Sequence, residues 1–441
     1  MKVQFTSLGC DKNLSDSEHM LYLIKKSGLL LTDDPRDADV IVINTCCFIE
    51  SALEESINAI IDAGKYKTEG HLKGLVVCGC MSERYRDDIR KNLPEVDAIV
   101  GTSSYDEIVS AILSSTNAKK EDLLKDQNFI PEESGRISGT GEPYDYLKIA
   151  DGCDKYCTYC IIPYLRGHYR SIPMESLVNE AEELAASGIT ELNLVAQETT
   201  LYGTDLYGRK ALPELLRRLS EIDGIKWIRL LYCYPESIDM DLIHEMAVNK
   251  KIVHYIDMPI QHCNSMILKS MNRHIDKEGI IEKIRLLRSN IPDIAIRTTL
   301  IAGFPGETNE MHEEMIEFVK DIKFDRLGVF TYSREKGTKA YDLPDQIDEK
   351  TTGKRRDLIM AVQQSLVFEH NKELIGKIIP VFVEGFMPDK NIYAGRTYMD
   401  APDVDSYIFF KANDLNIMSG KIVNVKVTDF KDYDLYGEIV K

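Results

Sequence analysis

Short apolar runs alternate with longer stretches whose apolar positions recur every three or four residues, and this pattern fills most of the chain. Over residues 1–114, the runs at 3–6, 40–44, 75–77 and 98–100 read as strands, and stretches such as 17–26 and 51–63 read as helices. Strands separated by helices predict an α/β domain built on a doubly wound parallel sheet. Residues 115–143 are polar, charged and broken by Gly135, Gly139, Gly141 and Pro143, so they read as a linker. Six further strands are predicted at 146–150, 192–196, 228–232, 254–258, 296–302 and 327–331, each usually followed by a helical stretch. Six βα units fall short of the eight that close a TIM barrel, which predicts an open, partial (βα)6 barrel whose open side admits a large substrate. Residues 347–374 read as a charged helix. Runs at 379–384, 392–395, 407–411, 422–430 and 436–440, with glycine-containing turns, predict a five-stranded antiparallel OB-like barrel. The domain boundaries follow as 1–114, a linker at 115–143, a core at 144–371 and a terminal barrel at 372–441.

Composition narrows the class. A chain of 441 residues is long enough for two or three domains with substantial cores. No basic-apolar leader precedes Met1-Lys-Val-Gln-Phe and no apolar run reaches membrane-spanning length, so a cytoplasmic, soluble protein without a membrane partner is expected. The formal net charge of -18 repels phosphate backbones in general and favours basic protein partners. Ten cysteines in an unsecreted chain point to metal ligands or small buried hydrophobes rather than to disulfides.

The cysteines fall into two sets. Cys153, Cys157 and Cys160 form a C-x3-C-x2-C run in Asp151-Gly-Cys-Asp-Lys-Tyr-Cys-Thr-Tyr-Cys160, directly after a predicted strand. Structural zinc wants four closed ligands, whereas three thiolates suit a 4Fe-4S cluster whose fourth iron stays open to an exchangeable ligand. In the first domain Cys10, Cys46 and Cys80 each follow a predicted strand end. The carboxyl ends of parallel strands face a common crevice, so these three can converge on a second cluster. Cys47 and Cys78 leave that ligand choice open; strand alternation makes immediate neighbours point apart and favours Cys46 and Cys80.

The core triad resembles the radical S-adenosylmethionine (SAM) superfamily. The two triads and the terminal barrel together resemble its methylthiotransferase family over nearly the whole chain. The resemblance implies that Cys153, Cys157 and Cys160 hold a 4Fe-4S cluster at which SAM is cleaved to a 5'-deoxyadenosyl radical. It further implies that Cys10, Cys46 and Cys80 hold an auxiliary 4Fe-4S cluster, and that the last domain is a substrate-recognising TRAM barrel. Two SAM molecules per product, an external low-potential electron donor and a sulfur donor are implied as well. Candidate SAM contacts are Tyr159 against adenine, Gln197 and Glu198 at the end of the second core strand for the methionine ammonium, and Arg297 for the carboxylate. In the turn Gly303-Phe-Pro-Gly306-Glu307, Gly303 and Gly306 let backbone approach the ligand. Gln261-His-Cys263 resembles a recurring family stretch. No catalytic residue is assigned beyond the cluster ligands.

Members of this family modify either a tRNA adenosine or an aspartate on small-subunit ribosomal protein twelve. Ser7-Leu-Gly-Cys-Asp-Lys-Asn-Leu14, Tyr202-Gly-Thr-Asp-Leu-Tyr-Gly208, Tyr232-Cys-Tyr-Pro-Glu236 and Gly395-Arg-Thr-Tyr-Met-Asp-Ala-Pro-Asp-Val-Asp405 resemble the ribosomal-protein branch. Lys155-Tyr156 and Tyr164 resemble the tRNA branch. Residues 371–441 carry nine Lys or Arg against eleven Asp or Glu, a net -2 that does not suit an RNA clamp. Phe382, Phe386, Tyr393, Tyr398, Tyr407 and Phe409 offer stacking surfaces for bases or, as strand residues, core packing. The sequence therefore predicts methylthiolation of the aspartate β-carbon on free protein or the small ribosomal subunit. The alternative is a tRNA adenosine 2-methylthiotransferase, which would bind tRNA in a salt-sensitive way. A noncatalytic, zinc-stabilised ribosome-binding module would carry zinc in place of iron and would not cleave SAM.

Overall fold

The computed structural model describes every residue except 118–119, 132–134, 413–416 and 441. Its chain divides into two units, Met1–Gly139 with Ala150–Tyr156 and Cys160–Glu180, and Thr140–Ile149 with Cys157–Tyr159 and Ala181–Lys441.

Six parallel strands form the sheet of the first unit: β1 (Lys2–Ser7), β2 (Leu30–Leu31), β3 (Val40–Thr45), β4 (Gly74–Gly79), β5 (Ala98–Val100) and β6 (Glu121–Leu123). Their order is β2-β1-β3-β4-β5-β6, which places a topological switch point between β1 and β3. Parallel sheets are covered on both faces, and the central strands show why: β3 and β4 are buried throughout. Alternate side chains split into two cores. Ile41, Ile43, Leu75 and Val77 pack with Ile60 and Ala63 of the helix Glu50–Thr68. Val40, Val42, Val76 and Cys78 pack with Met20 and Ile24 of the helix Asp11–Lys26 and with Ile108 and Ile112 of the helix Ile108–Ser115. Two edge strands escape the hydrophobic pattern. β2 is only two residues long, and β6 reads Glu-Asp-Leu, so only the apolar Leu123 marks it within the interval expected to be a linker. The same unit contains the antiparallel pair Ala150–Asp151 and Arg170–Ser171 and the short helix Ile162–Arg166, which adds Leu165 to the first core.

The second unit has its own six parallel strands: β7 (Tyr144–Lys148), β8 (Glu191–Val195), β9 (Trp227–Leu230), β10 (Ile252–Asp257), β11 (Ala295–Ala302) and β12 (Arg326–Thr331). They lie side by side in chain order, and β7 and β12 remain edges, so the partial barrel is open as its strand count predicts. The 26-residue helix Glu349–Leu374 packs along β12 and leads into the last strands. These are β13 (Ile378–Met387), β14 (Ile392–Thr397), β15 (Ile408–Lys411), β16 (Ile422–Lys431) and β17 (Asp434–Ile439). They close a barrel in the order β13-β14-β15-β17-β16. The expected all-antiparallel pairing is corrected here, because β15 and β17 run parallel. An odd number of strands cannot alternate direction around a closed ring, so one parallel pair is required.

Within this unit the terminal barrel is fixed to the starts of the sheet strands. Glu191, the first residue of β8, lies between Arg229 at 2.9 Å and Arg396 at 2.6 Å, all three fully buried. Arg326 opens β12 and pairs with Asp400 at 2.5 Å. Asp403 accepts hydrogen bonds from the Tyr144 and Tyr146 hydroxyls, each at 2.9 Å. Phe382 packs its ring 5.6 Å from Trp227, and Phe382 and Tyr393 are buried core residues, so neither presents a stacking face. The segment from Arg396 to Asp405 thus serves internal docking and leaves the carboxyl ends of β7–β12 free.

Burial alone would raise the Glu191 pKa, but the Arg396 and Arg229 charges hold it below the ordinary carboxylate range. Its contribution is therefore present above the unfolded pKa and is lost as pH falls through the lower folded value. Substituting Glu191→Ala leaves two buried guanidinium charges without their shared partner and is expected to cost about 3–5 kcal/mol in urea unfolding near neutral pH. A loss below about 1 kcal/mol, the range of exposed pairs, would contradict the role given to this contact.

Candidate functional site

In the first unit the turn after β1 carries Cys10 to the N-cap of the helix Asp11–Lys26. Gly9 makes this turn with φ +94°, and a Cβ there would lie 2.7 Å from Cys46 Cβ and 3.1 Å from its Sγ. Only glycine lets the Cys10 turn settle against the residue that follows β3. Cys80 follows β4 directly, after Gly79 at φ +89°. Asn13 ties these ends together: its side-chain amide donates to the Leu8 carbonyl at 3.2 Å and the Thr45 carbonyl at 3.0 Å, while the Asn44 amide donates to the Asn13 carbonyl at 3.0 Å. Asn13 Oδ1 lies 3.8 Å from Cys80 Sγ. The fold therefore brings Cys10, Cys46 and Cys80 to one crevice at the switch point.

Burial and mutual proximity raise two of these thiols. Burial pushes the Cys46 thiol up, and Cys10 adds to the effect. Burial pushes Cys80 up to about 12; Arg166 opposes this, and Cys10 and Cys46 reinforce it. Two buried thiolates beside the exposed Cys10 are unfavourable unless iron neutralises them, and this donor set suits an iron-sulfur cluster. Of the two alternatives, Cys78 separates. Cys78 is turned into the opposite core, its Sγ 3.8 Å from Met20 Sδ. Cys47 is buried in the apolar cluster that also contains Cys80. Among the described residues no three His, Cys, Asp or Glu side chains are drawn to one point as around a bare metal ion. A cluster with a separate iron under each thiolate spaces its ligands more widely.

The C-x3-C-x2-C run divides between the units. In the first, Gly152 has φ +78° and a Cβ on it would overlap the His168 carbonyl oxygen. The Cys153 N–H donates to the Gly167 carbonyl at 3.1 Å, and Asp154 accepts from the Tyr169 N–H at 3.1 Å. Cys153 is buried and Cys160 half-buried. In the second unit Cys157 is buried, with its Sγ 4.0 Å from the Tyr234 hydroxyl. Thr158 anchors it, donating from its N–H to the Met271 carbonyl at 3.0 Å and from its hydroxyl to the Ser270 carbonyl at 2.8 Å. Tyr159 packs on the cluster of Ile267, Met271, Phe304 and Ala340.

The expected SAM contacts fare differently. Gln197 is half-buried just beyond β8. Glu198 is fully buried, accepts from the Thr200 N–H at 3.1 Å and lies 3.5 Å from the Ser237 hydroxyl, and its carboxylate caps the turn Thr199–Leu201. Gly303 has φ +79°, but the close approach it permits is to Thr352, whose Cγ2 a Cβ would overlap. Glu307 fixes that turn by accepting the Gly303 N–H at 2.5 Å. Gly306, at φ +82°, has open space where its Cβ would be. Arg297 pairs with Asp257 at 3.1 Å and Asp405 at 3.4 Å, and stands level with Asp257, the last residue of β10.

Sequence reasoning missed Arg273. This guanidinium is buried, lies 4.0 Å over the Tyr234 ring and donates from Nη2 to the Pro259 carbonyl at 3.1 Å. Its Nε and Nη1 have no hydrogen-bond partner among the described residues. Tyr159, Tyr234, Glu236 and Cys157 all bear on its charge, which places it beside the second unit's part of the cysteine run. No periodicity marks it in Met271-Asn-Arg273, and only its tertiary neighbours disclose it.

Known proteins with the same organisation are numerous. Residues 2–101 match the Uncharacterized protein family UPF0004, residues 147–319 the Radical SAM superfamily and residues 375–440 the TRAM domain. The ribosomal protein uS12 methylthiotransferase RimO of Lachnoclostridium phytofermentans is 52% identical over 438 residues, covering 99% of each chain. The protein of the same name from Clostridioides difficile is 47% identical over 441 residues, covering 100% of this chain and 99% of its own. Among solved structures, the radical S-adenosylmethionine methyltransferase TsrM from Kitasatospora setae superposes with a TM-score of 0.54 at 14% identity, covering 74% of this chain and 72% of its own. The cobalamin-dependent S-adenosylmethionine radical enzyme OxsB superposes with a TM-score of 0.53 at 11% identity, covering 83% and 56%. Both likenesses concern the fold.

The burial pattern sets an order of thiol reactivity. In metal-free protein an alkylating reagent is expected to label exposed Cys10 and half-buried Cys160 first, and fully buried Cys78 and Cys233 last, as read by peptide mass spectrometry. Labelling of Cys78 as fast as Cys10 would contradict the placement of these strands.

Proposed function

The chain belongs to the family of ribosomal protein uS12 methylthiotransferases named RimO, within the radical SAM superfamily, and on that premise we propose that it transfers a methylthio group to the β-carbon of an aspartate in small-subunit ribosomal protein twelve. One molecule of SAM supplies the methyl group and a second the radical. The observation that carries this reading is the pair of three-cysteine sets, each following strands of a parallel sheet.

In this reading Cys153, Cys157 and Cys160 hold the 4Fe-4S cluster that binds SAM, and Cys10, Cys46 and Cys80 hold a second. When bound, these groups supply a carbon radical able to take an unactivated hydrogen and a sulfur atom to replace it. The side chains do the binding and orienting. Arg273 offers two free N–H groups to the methionine carboxylate of SAM, with Tyr234 stacked beneath it to fix the plane of the fork. Tyr159, seated on Met271 and Phe304, presents its ring to the adenine, and the open backbone at Gly306 admits the ligand. Gln197, just beyond β8, is the candidate contact for the methionine ammonium.

The net charge of -18 suits a basic ribosomal protein as partner. No described helix is long and apolar enough to cross a membrane, and a ribosomal substrate places the reaction in the cytoplasm. A low-potential electron donor and a sulfur donor complete the system. The tRNA reading draws on one feature, the Tyr156 and Tyr164 rings 6.0 Å apart with Tyr164 exposed, a pair able to stack on a base.

The test is anaerobic: cluster-reconstituted, reduced enzyme receives SAM, sulfide, ribosomal protein twelve and tRNA, and both products are analysed by mass spectrometry. A methylthio-sized gain on an aspartate peptide is expected; a gain on a tRNA adenosine alone would overturn the proposal. Arg273→Gln is expected to weaken SAM binding by about 10- to 100-fold, the value of charge-assisted hydrogen bonds, with iron content unchanged. An unaltered Kd would remove Arg273 from the SAM site.

A further inference from the structure

Arg166, six residues beyond Cys160, is not among the residues used above, and its side chain is 2% exposed. Its guanidinium is held from two directions. Nη1 donates to Asp151 at 2.9 Å and to Asp16 at 3.0 Å. Nη2 donates to Asn13 Oδ1 at 2.6 Å and lies 3.7 Å from Cys80 Sγ, within hydrogen-bonding reach of sulfur. Asp16 stands on the helix that Cys10 caps, Asp151 two residues before Cys153, and Asn13 bridges the ends of β1 and β3. A guanidinium keeps its charge even when buried, and its planar fork cannot swing away from Cys80 while Asp16 and Asp151 hold the other nitrogen. Asp16, Asp151 and the neighbouring Arg170, whose Nη1 donates to the Arg166 carbonyl at 2.9 Å, leave little net charge around the group. Arg166 therefore acts on Cys80 through its directed N–H rather than through a general field.

We propose that Arg166 is a positioning residue that donates a hydrogen bond to the Cys80 thiolate and thereby raises the reduction potential of the cluster held by Cys10, Cys46 and Cys80. Reduction adds negative charge to a cluster and its thiolates, and a hydrogen bond to a ligand sulfur favours the more negative state. The inference rests on the reading of these three cysteines as cluster ligands.

The test uses the full chain with Cys153, Cys157 and Cys160 each changed to Ala, so that one cluster remains, titrated with reductant and followed by electron paramagnetic resonance. Arg166→Gln in this background is expected to keep its iron and sulfide and to show a more negative midpoint potential. Arg166→Lys retains the charge with fewer directed N–H groups, and its shift is expected in the same direction and smaller. An unchanged potential in both variants, or in Arg166→Lys where Arg166→Gln fails to load, would overturn the inference and leave Arg166 a packing residue. A parent chain that takes up no cluster at all would overturn the ligand reading, and the inference with it. A role confined to folding would alter cluster content without moving the potential of the clusters that form.

Discussion

Parallel pairing sends every strand of a sheet in one direction, so the turns that follow the strands gather along one edge and the turns that precede them along the other. Most of the chemistry of this protein hangs on that constraint. In the first sheet β1, β3 and β4 are consecutive neighbours ending at Ser7, Thr45 and Gly79, and a cysteine follows each within three residues. Residues 70 positions apart in sequence meet because the strands before them are paired. Gly9 then removes the one side chain that would keep the Cys10 turn from Cys46, and Asn13 locks the two strand ends by its amide.

The second sheet uses both of its edges. At the starts of the strands, buried ion pairs centred on Glu191 and Arg326, with the tyrosine hydrogen bonds to Asp403, hold the terminal barrel. Beyond the strands Arg273 has a buried guanidinium whose Nε and Nη1 lack partners among the described residues. Arg229 leaves its Nη2 likewise without one, so what separates the two arginines is placement: Arg229 lies in the Glu191 cluster, and Arg273 lies over Tyr234 beside Cys157.

Placement also explains what the sequence disclosed. The strand run 98–100 was legible because burial on both faces demands continuous apolar residues, and the cysteine run was legible because its spacing is local. The pairing of Arg297 with Asp405 was not legible, because Asp405 is 108 residues away. Nor was the contact of Glu198 with the Ser237 hydroxyl, 39 residues on, or its capping of the turn at Thr199. β6 was invisible: an edge strand needs only a partner backbone, and one leucine in Glu-Asp-Leu makes no run. The parallel β15–β17 pair follows from closing five strands into a ring, which residue patterns do not state but strand counting does.

The central claim is that each three-cysteine set is an independent cluster site, built by its own strands. Native mass spectrometry of the anaerobically reconstituted chain tests it most directly, alongside one variant with Cys10, Cys46 and Cys80 changed to Ala and another with Cys153, Cys157 and Cys160 changed to Ala. The account predicts the mass of two 4Fe-4S clusters on the parent chain and of one on each variant. A single cluster on the parent chain, or zinc in either set, would contradict it.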